Sequence, residues 1–255
     1  SDDGSRGVPA ELHLSGVTKA YGTFRAVDDL ALSVGPGTCV AIIGPNGAGK
    51  STALDVIAGL PIDSGRIELD GLDVSRFSPR SRARLGIGRT YQHVRLVDDL
   101  TVWDNVMVGV DASRRSSRNS NQPAPTREAG PARVSAAIEL VGLRPSEEHL
   151  VASLDFGRRR LVELARLVAS SPRLALLDEP SSGLDGVDAE VAIKVIHTLR
   201  ERGTTVIVVE HDLDFVRGVT DVVQPLVNGR ALPSGTLDDV LANPEFRSAY
   251  LGTGV

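Results

Sequence analysis

Nine consecutive residues carry the clearest chemistry in the chain: Gly44-Pro45-Asn46-Gly47-Ala48-Gly49-Lys50-Ser51-Thr52. They fit G-x-x-x-x-G-K-[ST], a loop built to cradle phosphates. Glycines let such a backbone curl tightly and turn several N–H groups inward. The helix start beyond the loop adds partial positive charge, Lys50 adds a full one, and Ser51 offers a hydroxyl oxygen to Mg²⁺. The loop follows the apolar run Cys39-Val40-Ala41-Ile42-Ile43 and opens onto a helix-like segment at 51–60. That is the strand–loop–helix setting the motif requires, and an ordinary glycine-rich turn has no need of Lys50 and Ser51 at this spacing. The chemistry is binding of a nucleoside triphosphate.

Further polar residues stand at the tips of apolar runs. Asp178 follows Leu174-Ala175-Leu176-Leu177, which aims a carboxylate at Mg²⁺ through water or through Ser51. Glu179 beside it can take a proton from an attacking water. Gln92 ends the run beginning at Gly86, and His211 follows the valine-rich stretch 205–209, where its ring could donate to a terminal phosphate. Tyr21 precedes the loop by 23 residues. It is readable either as a core aromatic at a strand end or as a surface on which a base stacks.

The elements that must position these groups follow from patterning. With 255 residues, 41% of them hydrophobic and 24% charged, the chain can build one large domain with ample core. A net charge of −5 and a pI near 5.6 argue against a nucleic-acid partner held by bulk electrostatics. The single cysteine, Cys39, excludes an internal disulfide and reads as a small buried hydrophobe. No apolar run reaches the ~18–20 residues of a membrane span and no signal-peptide pattern is present, so a soluble, cytosolic chain is expected. Met107 is the only methionine, so Ser1 is not an initiator and a processed start or a longer parent chain is expected.

Residues 1–10 read as a loose arm. Strands are expected from Leu12 to about Tyr21, through Ala26-Val27 and Leu30-Ala31-Leu32, at Arg66-Ile67-Glu68-Leu69, and over 86–92. Asp70-Gly71 signals a hairpin. A short basic helix spans 78–85, and Thr101 caps another through Val102, Val106 and Met107. Residues 111–133, with three prolines and five arginines, read as a polar loop. Helices follow at 134–141 and 157–169, then the strand ending at Asp178, a helix at 187–201 and the strand 205–209. The tail offers strands at 222–227 and 230–232 and a helix near 236–242. Alternating strands and helices predict an α/β fold, a parallel sheet with ligands at the carboxyl ends of its strands.

Taken together these residues resemble the nucleotide-binding subunit of an ATP-binding cassette (ABC) transporter, over about residues 12–252. By that resemblance Tyr21 is the adenine-stacking aromatic and Gln92 the glutamine that senses Mg²⁺ and the membrane partner. Leu154-Asp155-Phe156-Gly157-Arg158 falls at the signature motif, Ser182-Gly183-Leu184-Asp185 at the dimer-interface loop, and His211 is the switch histidine. Within the family the chain is most similar to ATPase subunits of branched-chain amino-acid importers. That likeness is carried by Arg89-Thr90-Tyr91-Gln92-His93-Val94-Arg95-Leu96, Leu100-Thr101-Val102, Asn105-Val106, the polar insertion, and the ending Ala249-Tyr250-Leu251-Gly252.

The resemblance implies a P-loop ATPase core, a small antiparallel β lobe carrying Tyr21, and a helical lobe over about 93–170. ATP and Mg²⁺ are the cofactors: residues 44–52 with Asp155 and Gly157 contact nucleotide, Ser51, Gln92 and Asp178 hold metal, and Glu179, His211 and Gln92 serve hydrolysis. Transmembrane permease subunits and a second ATPase subunit, the same or different, are the partners. A solute-binding protein acts indirectly, nucleic acid has no part, and the place of work is the cytoplasmic side of the cell membrane.

The signature departs from the family pattern Leu-Ser-Gly-Gly-Gln. Asp155 replaces the serine that would face the γ-phosphate of the opposite subunit, and Arg158 replaces the glutamine. Like charges ~4 Å apart repel by roughly 1 kcal/mol in water and about 4 at an effective dielectric of 20. This predicts one impaired and one competent site in a heterodimer. A GTPase is disfavoured because no N/T-K-x-D follows the loop. An ABC ATPase acting on DNA or ribosomes would carry coiled-coil insertions or tandem cassettes, and Glu179 argues against a non-hydrolysing regulator.

Overall fold

The computed structural model describes residues 9–117 and 129–251. The expected arm lies outside them up to residue 8, and the expected polar loop does so over 118–128. In chain order the elements are β1 (Leu12–Tyr21), β2 (Phe24–Val34), β3 (Cys39–Ile43), α1 (Lys50–Ala58), β4 (Ser64–Leu69), β5 (Leu72–Asp73), α2 (Pro79–Arg84) and β6 (Ile87–Arg89). They continue with α3 (Val102–Ser117), α4 (Ala129–Leu140), α5 (Phe156–Ser170), β7 (Leu174–Asp178), α6 (Gly186–Glu201), β8 (Thr205–Val209), α7 (Leu213–Val219), β9 (Val222–Val227), β10 (Arg230–Ala231), α8 (Leu237–Ala242) and α9 (Pro244–Leu251).

Two sheets result. One is antiparallel, in the order β2-β1-β4-β5; the other runs β10-β9-β3-β8-β7-β6, parallel except for β10. The buried strands of the larger sheet are mostly apolar because both faces are covered, with Asp178, Thr205 and Gln224 as buried polar exceptions. Their side chains alternate between two cores: Val40, Ile42, Leu174, Leu176, Ile207 and Val209 pack toward the antiparallel sheet and α1. Cys39, Ala41, Ile43, Ala175, Leu177, Val206 and Val208 face the helices on the other side. Strands β3, β6, β7 and β8 end on one edge, which gathers the loops carrying residues 44–49, 90–92, 178–179 and 210–211.

Several expectations are corrected. Helix α3 continues to Ser117 and α4 starts at Ala129, so the loop expected over 111–133 is helical at both flanks. Val102, Val106 and Val110, each four residues on, bury one stripe of α3 and hold its axis. The strand expected over 86–92 stops at Arg89. Helices α7 and α9 are too short to show a period; Asp212 and Asn243 cap them, each accepting from two backbone N–H groups. The arm is already fixed at Ala10, which is fully buried and whose carbonyl accepts from the Thr205 hydroxyl at 2.6 Å. Cys39 is buried, which pushes its thiol pKa up to about 12 and leaves it inert. Among the described residues no helix is long and apolar enough to cross a membrane.

Candidate active site

The loop from Gly44 to Gly49 leaves β3 and curls into α1 because its glycines permit what other residues would not. Gly49 stands at φ 96°, and a Cβ there would lie 2.0 Å from the Ala26 carbonyl oxygen; one on Gly44 would lie 2.1 Å from that of Leu226. Gly49 is also the N-cap of α1 and supplies no side-chain cap, so the first-turn amides stay open to an incoming anion. Lys50 is buried, its Nζ donating to the carbonyls of Gly44 at 2.7 Å and Pro45 at 3.0 Å. Burial lowers its pKa, opposed by the charges of Glu179 and Asp178.

Above the loop lies an open cleft of about 300 Å³, walled by residues that include Asn46, Gly47, Ala48, Thr52, Gln92, Glu179 and Phe24. Glu179 sits in the left-handed region at φ 48°, strained for a residue with a Cβ and held by its N–H bond to the Val209 carbonyl at 2.9 Å. Its carboxylate lies between the two other residues expected in hydrolysis. Gln92 Nε2 donates to Oε2 at 3.5 Å, and His211 Nδ1 stands 3.9 Å from Oε1. A carboxylate so flanked can order a water and accept its proton. A larger hollow of about 500 Å³ beside the start of α3 is lined by Thr101, Trp103, Asp104, Glu147 and Glu148. It offers carboxylates rather than an amide cradle, so a polyanion would be repelled there.

The donor set fits a small hard cation. Ser51 Oγ donates to Asp178 Oδ1 at 3.4 Å, and the Gln92 amide faces the same cleft. Among the described residues no group of three or more His, Cys, Asp or Glu could hold a metal alone. One carboxylate plus a hydroxyl suits Mg²⁺, which keeps waters and shares substrate phosphates. Burial raises the pKa of Asp178, while the Arg89 guanidinium acts to lower it.

Four supporting residues escaped the sequence reading. Arg89, nearly buried, donates to Asp55 Oδ1 at 2.6 Å, reaches Asp178 Oδ2 at 3.5 Å and stacks on the Tyr91 ring at 4.8 Å. Fully buried Glu210 accepts from the backbone N–H of Ser181 at 2.8 Å and of His211 at 3.0 Å, bracing the turn after β7 against the turn after β8. On α5, fully buried Arg160 donates to the carbonyls of Tyr91 at 2.7 Å and Gln92 at 2.8 Å and pairs with buried Glu163 at 2.8 Å. Despite Arg160, burial raises the Glu163 pKa. The available signal was spacing: Arg160 and Glu163, three apart, interrupt an otherwise apolar stripe with opposite charges.

The remaining expected residues lie apart from the cleft. Tyr21 is 54% exposed at the tip of the β1–β2 hairpin, which removes the core-aromatic alternative. Asp155 is the N-cap of α5: its Oδ1 accepts from the Arg158 N–H at 2.8 Å, and its Oδ2 lies 3.7 Å from Arg158 Nε. Gly157 packs beside the 182–185 loop; a Cβ there would lie 3.3 Å from the Gly183 carbonyl oxygen. Asp188 has its pKa raised by burial and then by Asp185 and Asp155.

Comparison with known proteins gives this geometry its context. The family described as "ABC transporter" matches residues 27–182. A probable ABC transporter ATP-binding protein of Azorhizobium caulinodans is 34% identical over 238 residues, covering 93% of this chain and 81% of that protein. The high-affinity branched-chain amino acid transport ATP-binding proteins LivG of Salmonella typhimurium and BraF of Pseudomonas aeruginosa are 31% and 33% identical, each covering 94% of this chain and 97% of its own length. Among solved structures, the ADP conformation of an ATP-binding cassette of an ABC transporter matches with a TM-score of 0.81 at 28% identity, over 95% of this chain and 99% of that one. A dimeric cassette in a post-hydrolysis state, bound to ADP and Pi, matches with a TM-score of 0.78 at 25% identity, over 89% and 98%. A P-loop at the carboxyl ends of a parallel sheet, faced by Glu179 and Gln92 with His211 beside Glu179, thus takes its place: the chain belongs to the ABC transporter family, as a nucleotide-binding ATPase subunit.

Proposed function

We propose that this subunit hydrolyses MgATP to drive import of branched-chain or other amino acids, as one of two cassettes held by permease subunits at the cytoplasmic face of a cell membrane. The observation that supports hydrolysis most directly is the Glu179 carboxylate set between Gln92 and His211 at the mouth of the phosphate loop. The amino-acid substrate rests on the similarity to LivG and BraF along nearly the whole chain.

In this reading the open amides of the loop and Lys50 hold the β- and γ-phosphates, which calls for Lys50 to exchange its carbonyl partners for phosphate oxygens. Ser51, Asp178 and Gln92 would hold Mg²⁺, whose charge offsets that building on the phosphates. Glu179 orders water and takes its proton, His211 donates to the γ-phosphate, and Gln92 relays its position to the permease. The second cassette closes the site with its own signature. Asp155 favours a partner of different sequence, because in a homodimer its carboxylate would face the γ-phosphate. A solute-binding protein would act only through the permease.

Uptake of radiolabelled leucine, isoleucine and valine tests the assignment, in cells lacking the chain and complemented with wild type or Glu179→Gln. Wild type is expected to restore uptake and the variant to leave it absent. Complementation that leaves uptake of all three unchanged would remove the substrate class while leaving the ATPase intact.

A further inference from the structure

Glu210 follows the last residue of β8 and is fully buried, a setting in which a carboxylate is expensive unless it is well bonded. Its bonds show what the charge does there. Oε1 accepts from the Ser181 N–H at 2.8 Å, while Oε2 accepts from the N–H groups of His211 at 3.0 Å and Asp212 at 3.4 Å. Each oxygen thus serves a different turn, one after β7 and one after β8.

Both turns carry a group expected at the terminal phosphate. Glu179, two residues before Ser181, stands at φ 48°. Such a backbone persists only where its surroundings over-determine it, and two adjacent residues at the end of β8 do so. The Val209 carbonyl accepts from the Glu179 N–H at 2.9 Å, and Glu210 takes the Ser181 N–H. The Ser181 carbonyl in turn accepts from the Leu184 N–H at 3.0 Å, which extends the hold into the 182–185 loop.

His211 has an exposed ring, so its place is set by its backbone. Glu210 Oε2 holds its N–H, and the Tyr250 hydroxyl on α9 donates to its carbonyl at 3.3 Å. The ring Nδ1 lies 3.8 Å from Glu210 Oε2 and 3.9 Å from Glu179 Oε1. One buried carboxylate therefore spans the backbone that carries the general base and the backbone that carries the histidine.

We infer that Glu210 is a positioning residue for ATP hydrolysis, which touches no substrate and holds Glu179 and His211 in register on the γ-phosphate. The inference rests on the reading of His211 as a γ-phosphate donor. It goes beyond that reading by naming what sets the donor's position, a residue that none of the phosphate-binding motifs marks.

Nucleotide binding tests this without depending on turnover. ADP and the non-hydrolysable β,γ-imido analogue of ATP, each with Mg²⁺, would be titrated calorimetrically into five proteins. These are wild type, Glu210→Gln, Glu210→Asp, His211→Ala and the double variant Glu210→Gln/His211→Ala, with thermal melts as the folding control. The ratio of the two affinities isolates the γ-phosphate, because both ligands share the loop contacts. Wild type should prefer the analogue, and His211→Ala should lower that preference. Glu210→Gln keeps the shape but turns a donor toward the amides. It should lower the preference about fivefold and leave ADP affinity within about twofold. Glu210→Asp keeps the charge but is a methylene too short to serve both turns, and it too should lower the preference. In the His211→Ala background, Glu210→Gln should change the preference by less than about twofold, because it acts through that residue.

A purely structural Glu210 would weaken both ligands together or add its loss to that of His211→Ala, and either result overturns the inference. An unchanged preference in both Glu210 variants overturns it as well, and so does loss of cooperative melting in both. If His211→Ala itself left the preference unchanged, the γ-phosphate role of His211 would fall and this inference with it.

Discussion

Helices α1 and α5 both begin at residues that the family resemblance assigns to nucleotide, yet they present opposite faces to an anion. The N-cap of α1 is Gly49, which has no side chain, so the first-turn amides and the positive end of the helix remain open. At α5 the N-cap is Asp155, whose own carboxylate takes the Arg158 N–H. For helix stability alone the second arrangement is the better one, since an acidic cap complements the dipole. For receiving a phosphate it is the worse one, because the site already contains its anion. A helix N-terminus is thus a phosphate site only when nothing local has filled it, and one side chain decides which.

The comparison breaks most sharply at chemistry. Glu179→Gln keeps the shape of the α1 side and removes its base, and a fall in kcat of at least a hundredfold is expected with nucleotide affinity nearly unchanged. Equal loss of affinity in a binding titration would mean that Glu179 serves binding instead. Next comes the strut between the two sides, Arg160, which reaches from α5 to the carbonyls of Tyr91 and Gln92. Arg160→Met leaves Glu163 buried without its partner and should lower unfolding free energy by about 3–5 kcal/mol in urea. A change below about 1 kcal/mol would show that the two sides are not joined through this pair. The smallest effect belongs to the cap. Asp155→Ser keeps a capping oxygen and removes the charge, so ATPase activity of the isolated chain should rise by about tenfold, within the range of the repulsion it relieves. Asp155→Ala should also relieve the charge but cost about 1 kcal/mol of stability, read as a lower melting temperature. Strong, cooperative activity of the unmodified chain as a homodimer would remove the case for a partner of different sequence.

Much of this was legible from the chain because the informative patterns are local. The loop 44–52 between an apolar run and a helix, and the polar tips Asp178-Glu179 and His211 after apolar strands, are statements about neighbours in sequence. What escaped had no local signature. Arg89 could be read as a carrier of resemblance, but its placement between Asp55 and Asp178 comes from pairing β6 beside β7. Glu210 reads as one more strand-end acid until the turn after β7 is laid beside it. The loop expected at 111–133 failed at its edges for the opposite reason: a helix anchored by Val102, Val106 and Val110 persists where composition no longer advertises it.

The sequence by itself determined the phosphate loop, the order of the longer strands and helices, and the acidic and histidine tips that an ATPase needs. Each is fixed by residue type at short range: glycine freedom, apolar alternation, a charged residue closing an apolar run. Tertiary structure alone decided that Glu179 falls between Gln92 and His211, that Asp155 spends its carboxylate on its own helix, and that Glu210 bridges the turns after β7 and β8. Those outcomes depend on which strands lie side by side and on how one turn leans against the next, and packing sets both across separations that no local pattern spans.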